Sequence, residues 1–278
     1  MGDPQAVLLD WPAPAVARLR INRANKRNAI DQSVRQALTD ALQVLADQSH
    51  ARALVFGGVG GVFSASGDLP SMVGLSEAQA RERMQHVQRL CQLVAGLRFP
   101  VVSAIEGFGA GAAVGLALLG DRIVVGPGTK LLFPFLKLGL TPDWGQMLTL
   151  PRRVGLGVAS RILCAGAAVG GEEAHRIGLA DALAADADVM AHAVQQAQAL
   201  AALPLDAFAR MKARLHAPSA SLAQELAREV QDQAVCMTSD DFREGYAAFQ
   251  EKRTPNFARP PLPLAGEDRG EGRADSGP

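Results

Sequence analysis

Two short segments rich in small residues are the first sign of chemistry in this chain. Residues 63–69 read Phe-Ser-Ala-Ser-Gly-Asp-Leu, and residues 106–115 read Glu-Gly-Phe-Gly-Ala-Gly-Ala-Ala-Val-Gly. They follow the apolar runs 53–56 and 101–105, which are typical of buried strands. Small residues let a ligand approach the main chain, and two N–H groups that converge on one oxygen make an oxyanion hole. The segments therefore predict a site where main-chain amides hold a negative charge.

The elements that position these segments alternate between strand and helix, at intervals that suit right-handed β-α-β crossovers. The apolar patterns predict strands at 7–9, 16–21, 53–56, 101–105 and 122–125. They predict helices from Asp31 to about 48, from Ser76 to about 97, and at 110–119, 146–154, 158–164 and 171–177. After residue 181 the composition becomes rich in Ala, Gln and Leu, which predicts a helical region to about 252. Residues 255–278 are rich in Pro, Gly and charge, which predicts a disordered tail.

Composition excludes several classes of function. The chain has 278 residues, with 28 basic and 28 acidic side chains, so a general nucleic-acid or membrane-surface binder is not expected. Its three cysteines are widely spaced and form no metal-binding motif, so no metal site is expected. The longest apolar stretch, 107–120, is shorter than the roughly 20 residues that span a bilayer. With no secretory signal at the N-terminus, these features predict a cytoplasmic protein with reduced thiols.

The order of segments resembles the crotonase superfamily, the enoyl-CoA hydratases and isomerases. The similarity covers roughly residues 5–257, and its pieces stand in order at 22–30, 63–69, 100–122, 137–143, 150–152, 173–180 and 241–253. It implies an α/β fold, with a spiral core of ββα turns and a C-terminal helical trimerisation region. The implied parts are a core at 1–190, an oligomerisation region at 191–257 and a disordered tail at 258–278. A homotrimer or a dimer of trimers is expected.

The resemblance also implies a substrate and a set of site residues. The substrate is an acyl-CoA thioester, whose enolate would be stabilised by the amides of Gly67 and Ala112. Coenzyme A is then part of the substrate, and no cofactor is expected. Substrate contacts are implied for two cations, the loop that contains Gly67, two aromatic side chains and the last helix: Lys26, Arg27, Ala65, Ser66, Asp68, Leu69, Phe135, Trp144, Phe249 and Lys252.

The sequence departs from the family pattern at the two glutamates with which hydratases add water. Gly115 and Phe135 stand at those positions, and neither side chain can transfer a proton. Asp143 remains, where isomerases of the family carry an aspartate that moves a proton between the α- and γ-carbons. Its apolar neighbours would desolvate the carboxyl and raise its pKa. A Δ3/Δ2 enoyl-CoA isomerase with Asp143 as proton carrier is therefore predicted, although Asp143 could also cap the helix that follows.

Three other activities stay open. The aryl-CoA dehalogenases of the family use an aspartate at this position as nucleophile, but they need a water-activating base, which these motifs do not provide. A hydratase lyase has poor mechanistic support without the two glutamates. A non-catalytic CoA-binding subunit is opposed by the retained Gly67, Ala112 and Asp143. Glu106 is a second carboxylate near the site, and a structural role at the strand end is expected for it.

Overall fold

The computed structural model describes residues 6–47 and 50–257, so the predicted tail at 258–278 lies outside the described residues. The strands are β1 (Val7–Ala13), β2 (Val16–Ile21), β3 (Ala53–Gly58), β4 (Val101–Ile105), β5 (Phe108–Ala110), β6 (Arg122–Val125), β7 (Lys130–Leu132), β8 (Val169–Gly170) and β9 (Ala182–Leu183). The helices are α1 (Gln32–Asp47), α2 (Glu77–Gly96), α3 (Ala112–Leu118), α4 (Gln146–Val154), α5 (Leu156–Ala165), α6 (Gly171–Arg176), α7 (Val189–Ala201), α8 (Leu205–His216), α9 (Leu222–Met237) and α10 (Asp240–Glu251).

The main sheet has six strands in the order β1-β2-β3-β4-β6-β9. β1 runs antiparallel to β2, and the other neighbours are parallel. Strands β3 and β4 are buried along their whole length, as expected of parallel strands covered on both faces. Alternate side chains enter two separate cores. Leu54 and Phe56 pack in the larger core, whereas Val55 packs in a smaller core beneath α7.

A second sheet contains three strands in the order β5-β7-β8 and adjoins the small-residue segments. The sequence patterns predict a helix from residue 110, but the structure has strand β5 up to Ala110 and begins α3 only at Ala112. Gly111 separates them with φ of 48°, and a Cβ at this position would collide with the hydroxyl of Ser66. A glycine is therefore required where strand changes to helix.

Two predicted helix starts are confirmed by their caps. The Asp31 carboxylate accepts a hydrogen bond of 3.0 Å from the Val34 N–H at the start of α1. Ser76 and Gln79 form a reciprocal capping box at the start of α2. These caps fix the first turns of the two helices that lie beside the segment 63–69.

The C-terminal region is helical, as predicted. Helix α7 spans the predicted boundary at residue 190 and packs on β3, β4 and β6, while that boundary stays a prediction. Helix α9 has no buried residue among those described. Large apolar side chains are exposed on α9 and α10: Leu222, Leu226, Val230, Phe242, Tyr246 and Phe249. Within the described ranges, no helix is long and apolar enough to cross a bilayer.

Candidate active site

The segment 63–69 is held against residues 26–30 by main-chain hydrogen bonds. The Ala65 N–H donates to the Arg27 carbonyl at 2.9 Å, and the Ile30 N–H donates to the Ser66 carbonyl at 2.8 Å. This strand-like pairing fixes the backbone of the loop and places the turn that carries Lys26 and Arg27 beside it. Both cations are exposed at the rim, where a charged ligand can reach them.

The amide of Gly67 is the first candidate donor. Gly67 is buried, and no hydrogen bond within residues 6–47 and 50–257 uses its N–H. A side chain is excluded here, because a Cβ would lie 2.7 Å from Cε of Met72. Buried main-chain N–H groups nearly always have a partner, so this amide is available to the oxygen of a ligand.

The amide of Ala112 is the second candidate donor, and it is engaged. The Ala112 N–H donates to Oγ of Ser66 at 3.1 Å. Ser66 holds a φ of 95°, a strained conformation for a residue with a side chain, and such strain is concentrated at functional sites. Its hydroxyl therefore marks a point at which Ala112 holds an oxygen. A ligand oxygen can reach the Ala112 amide only by displacing that hydroxyl.

Asp143 lies half-buried in the turn before α4. Its Oδ1 atom is inaccessible to solvent and has no hydrogen-bond partner among the described residues. Burial raises the pKa of the Asp143 carboxyl to about 6, against the opposing effects of its own backbone N–H and of Arg83. The capping interpretation is wrong, because Gly145 occupies the N-cap of α4 and no side chain bonds there. A carboxyl with a pKa near neutrality suits proton transfer.

Close packing explains why no glutamate stands at position 115. A Cβ on Gly115 would lie 2.5 Å from Cβ of Trp144, which is buried and holds a φ of 52°. Buried Gln146 fills the adjoining space, where its Nε2 donates to the carbonyl oxygens of Gly111 and Asp143, both at 3.1 Å. The space that a hydratase acid would need is therefore filled by Trp144 and Gln146.

Phe135 occupies the other glutamate position as a buried ring. Its Cζ atom is 3.7 Å from the point where Gly111 would carry a Cβ, so the ring lies against the second segment. The structure thus brings an apolar wall, and no acid, to this side of the site. At the opposite rim Leu69 is partly exposed, and Asp68 lies 3.6 Å from the Arg23 guanidinium.

Arg83, on α2, is a site residue that the sequence analysis missed. Its Nη2 atom lies 3.5 Å from the point where Gly67 would carry a Cβ. Burial lowers the pKa of Arg83, and Asp143 is the carboxylate that most opposes this effect. A signal was present in the sequence, because Arg83 shares the buried face of α2 with Val87 and Leu90 at helical spacing. A cationic side chain on the apolar face of a helix indicates a polar or charged partner in the protein interior.

Two predicted substrate residues lie on the C-terminal helices and not in this cluster. Phe249 on α10 is 77% exposed, and Lys252 ends that helix in a left-handed conformation. Their contact with coenzyme A stays a prediction. Glu106 is desolvated, which raises its pKa, and the charges that oppose this are Arg20 and Arg18 on β2. Its structural role at the strand end stays a prediction.

Fold and site together define an α/β protein with a free buried amide, a strained oxygen-binding loop and a desolvated carboxyl. The sequence model of the family described as Enoyl-CoA hydratase/isomerase matches residues 13–260. The chain therefore belongs to the enoyl-CoA hydratase/isomerase family, the crotonase superfamily, as the resemblance predicted.

Individual proteins agree with this assignment along nearly the whole chain. A protein of Rhodobacter capsulatus named "Probable enoyl-CoA hydratase" is 35% identical, over 87% of this chain and 94% of its own. The "1,2-epoxyphenylacetyl-CoA isomerase" of Escherichia coli K12 is 31% identical, over 90% and 97%. The crystal structure of the enoyl-CoA hydratase of Bacillus anthracis superimposes with a TM-score of 0.86 at 25% identity, over 91% and 99%. The predicted crotonase-like α/β fold is confirmed.

Proposed function

We propose that this protein is an isomerase that moves the double bond of an enoyl-CoA thioester between the 3- and 2-positions. The main support for this proposal is the state of the Asp143 carboxyl. Its pKa of about 6 and its unpartnered Oδ1 atom suit a group that takes up and returns a proton near neutral pH. Because Gly115 and Phe135 replace the acids of a hydratase, one carboxyl is left for proton transfer, and one is enough for an isomerisation.

In the reaction, the thioester oxygen accepts a hydrogen bond from the Gly67 amide and takes the place of the Ser66 hydroxyl at Ala112. The Asp143 carboxylate removes a proton from C2 of the 3-enoyl thioester. The electron pair of the broken C–H bond turns the C1–C2 single bond into the C1=C2 double bond of a dienolate, and the electron pair of the C=O double bond moves to the thioester oxygen as its negative charge. The dienolate then takes the same proton from Asp143 at C4, which leaves the double bond between C2 and C3. Each main-chain donor to the oxyanion is worth about 3–4 kcal/mol.

The coenzyme A part of the substrate would be held by the rim. Lys26 and Arg27 suit its phosphates, because cations on exposed turns bind such groups well. The backbone around Ala65 and Asp68 suits its adenine and pantetheine parts. No separate cofactor takes part in the reaction proposed here.

A homotrimer or a dimer of trimers is proposed as the assembly. The support is the row of apolar side chains on α9 and α10, which a single copy leaves exposed. Contiguous apolar surface of this kind is typical of an interface between subunits. Burial in such an interface would place Phe249 and Lys252 near a neighbouring subunit, from which they could contact coenzyme A.

Hydration is the second candidate, because relatives named as hydratases match the chain along most of its length. The packing at Gly115 and the ring of Phe135 oppose it, since a hydratase needs one group to activate water and another to protonate the α-carbon.

The test measures isomerisation of hex-3-enoyl-CoA by the purified protein, followed by the absorbance of the conjugated thioester. Hex-2-enoyl-CoA in water tests hydration, and 4-chlorobenzoyl-CoA tests dehalogenation. Asp143→Asn should lower the isomerase rate by about 10²–10⁴-fold, the usual contribution of an acid–base group. Asp47→Asn, an exposed aspartate at the end of α1, is the matched control and should leave the rate unchanged.

Four results would contradict the proposal. One is the absence of isomerisation for 3-enoyl thioesters of several chain lengths. Another is a wild-type rate in Asp143→Asn. Release of the 3-hydroxy thioester as main product would favour hydration, and binding of thioesters without turnover would favour a non-catalytic subunit.

A further inference from the structure

A polar cavity of about 270 Å³ lies beside the candidate active site. It is enclosed by the start of α1, the 3-10 turn Leu69–Met72 and the N-terminal half of α2. Most of its lining is polar or basic: Gln32, Arg35, Ser71, Gln79, Arg83 and His86. A lining with two guanidinium groups predicts an anionic occupant.

Arg35 is the stronger sign of an anion site. The residue is only 4% exposed, and neither Nε nor Nη1 has a hydrogen-bond partner among the described residues. Burial and the nearby positive charge of Arg83 together lower its pKa to about 10, against the opposing effect of the Asp31 carboxylate. A buried guanidinium without an acceptor is costly, so it is expected where a ligand supplies the acceptor.

The neighbouring carboxylates do not neutralise this pair of arginines. Arg23 holds Asp31 at 2.8 Å and Asp68 at 3.6 Å. Within the described ranges, neither Arg35 nor Arg83 forms an ion pair of its own. Glu82 also lines the cavity, but its side chain is exposed to solvent. Nη1 of Arg83 donates to Oγ of Ser71 at 3.2 Å, and the charge of Asp143 acts on Arg83 without an ion pair between them. The other donors of the two guanidinium groups remain available to a ligand.

The cavity is next to the reacting centre. Arg83 lines it and also places Nη2 3.5 Å from the point where Gly67 would carry a Cβ. An acyl group whose thioester oxygen is bound at Gly67 thus has a guanidinium within a short chain's reach. We infer that Arg35 and Arg83 bind a carboxylate at the far end of the acyl group, so the substrate is a short enoyl-CoA derived from a dicarboxylic acid. This inference rests on the function proposed above.

Binding of two unreactive thioesters tests the inference without turnover. Adipyl-CoA and hexanoyl-CoA have the same chain length and differ in the terminal carboxylate. Isothermal titration calorimetry should give adipyl-CoA a Kd about 10- to 100-fold lower, the usual effect of a charge-assisted hydrogen bond in a buried site. Arg35→Gln and Arg83→Gln should each bring the two Kd values to within about threefold of each other. Arg83→Lys, which keeps the charge, should retain part of the preference.

Arg81→Gln is the matched control, because Arg81 lies on the same helix, is exposed and pairs only with the exposed Glu77. It should keep the full preference. The same preference should appear in kcat/KM for hex-3-enedioyl-CoA over hex-3-enoyl-CoA. Equal Kd values in the wild-type protein would overturn the inference, as would a preference that survives in both Arg35→Gln and Arg83→Gln. If neither hex-3-enedioyl-CoA nor hex-3-enoyl-CoA were isomerised, the proposed function would fail. The ratio of the Kd values of adipyl-CoA and hexanoyl-CoA would still show whether the cavity binds a carboxylate.

Discussion

Replacing Asp143 by asparagine should make the protein more stable at neutral pH while it removes the proposed activity. The carboxyl has its pKa raised by burial from 3.8 to about 6, and its Oδ1 atom has no partner among the described residues. At neutral pH, folding therefore transfers an ionised carboxylate into surroundings that stabilise it less than water does. The amide of asparagine has nearly the same shape and avoids this cost.

The magnitude follows from the shift in pKa. About two pKa units at about 1.4 kcal/mol each set an upper limit near 3 kcal/mol. Because Asp143 is partly exposed and the amide also loses water, a gain of about 1–3 kcal/mol is expected. For a chain of this size, about 2–4 °C in Tm per kcal/mol gives a rise of roughly 2–12 °C.

The gain in stability of Asp143→Asn over the wild-type protein should increase with pH. The folded protein binds a proton at Asp143 more tightly than the unfolded chain does. The stability due to that proton is complete below pH 3.8 and is lost as the pH rises through about 6. The gap in Tm between Asp143→Asn and the wild-type protein should therefore be widest at pH 7–8, narrow below pH 6 and close near pH 4.

Thermal unfolding at several pH values measures this gap, with Asp47→Asn as the control that should show none. An Asp143→Asn protein that is equally or less stable at pH 8 would refute the reasoning. A gap that widens as the pH falls would do the same. Either result would mean that the folded protein stabilises the Asp143 carboxylate, for example through Arg83.

Three further predictions concern packing, the strained loop and the rate. Gly115→Ala should destabilise the protein by about 1–3 kcal/mol, because there is no space for the added Cβ. Gly157→Ala, in α5, should stabilise it by up to about 1 kcal/mol, because the added Cβ would have no neighbour within 4 Å. Unfolding of both variants in urea checks this, and a shift of the same sign in both would contradict it. Ser66→Gly frees the Ala112 amide and should lower the KM of the thioester about fivefold, the equivalent of one neutral hydrogen bond. A higher KM would show instead that the Ser66 hydroxyl itself donates to the thioester. Finally, kcat/KM of the wild-type protein should fall about tenfold per unit below pH 6, as Asp143 becomes protonated, and a flat profile would exclude Asp143 as the base.

Much of the fold could be predicted because its signals are local. Strands β4 and β6 and helix α4 have the predicted bounds, since their apolar runs are bounded by polar residues or turns. The caps at Asp31 and Ser76 depend on residues three positions away. The desolvation of Asp143 also followed from its apolar neighbours in the sequence.

The parts that could not be predicted depend on contacts between distant segments. The hydrogen bond from the Ala112 N–H to Ser66 joins residues 46 positions apart. Because of this bond, the second candidate oxyanion donor is already occupied. Arg35 and Arg83 line one cavity although they belong to different helices. No periodicity indicates which residue will face such a cavity, so these contacts become visible only after the chain is folded.

The change from strand to helix within residues 106–115 was not predicted, for a similar reason. The run from 110 to 119 is apolar and has helical composition, so the sequence patterns predict a helix that begins two residues before the observed one. Strand β5 forms because β7 offers it a parallel partner, and sheet pairing outweighs local propensity. The helix then starts at Ala112, after the turn at Gly111.

The packing of Gly115 against Trp144 and Gln146 has a consequence for how the chemistry of this site can be changed. A glutamate introduced at 115 meets Cβ of Trp144 and the backbone-bonded amide of Gln146, so the protein loses stability before it gains a second acid. A smaller residue introduced first at 144 or 146 opens a hole in the core and also costs stability. The three positions therefore form one packing unit, and a route from this site to a hydratase must exchange them together.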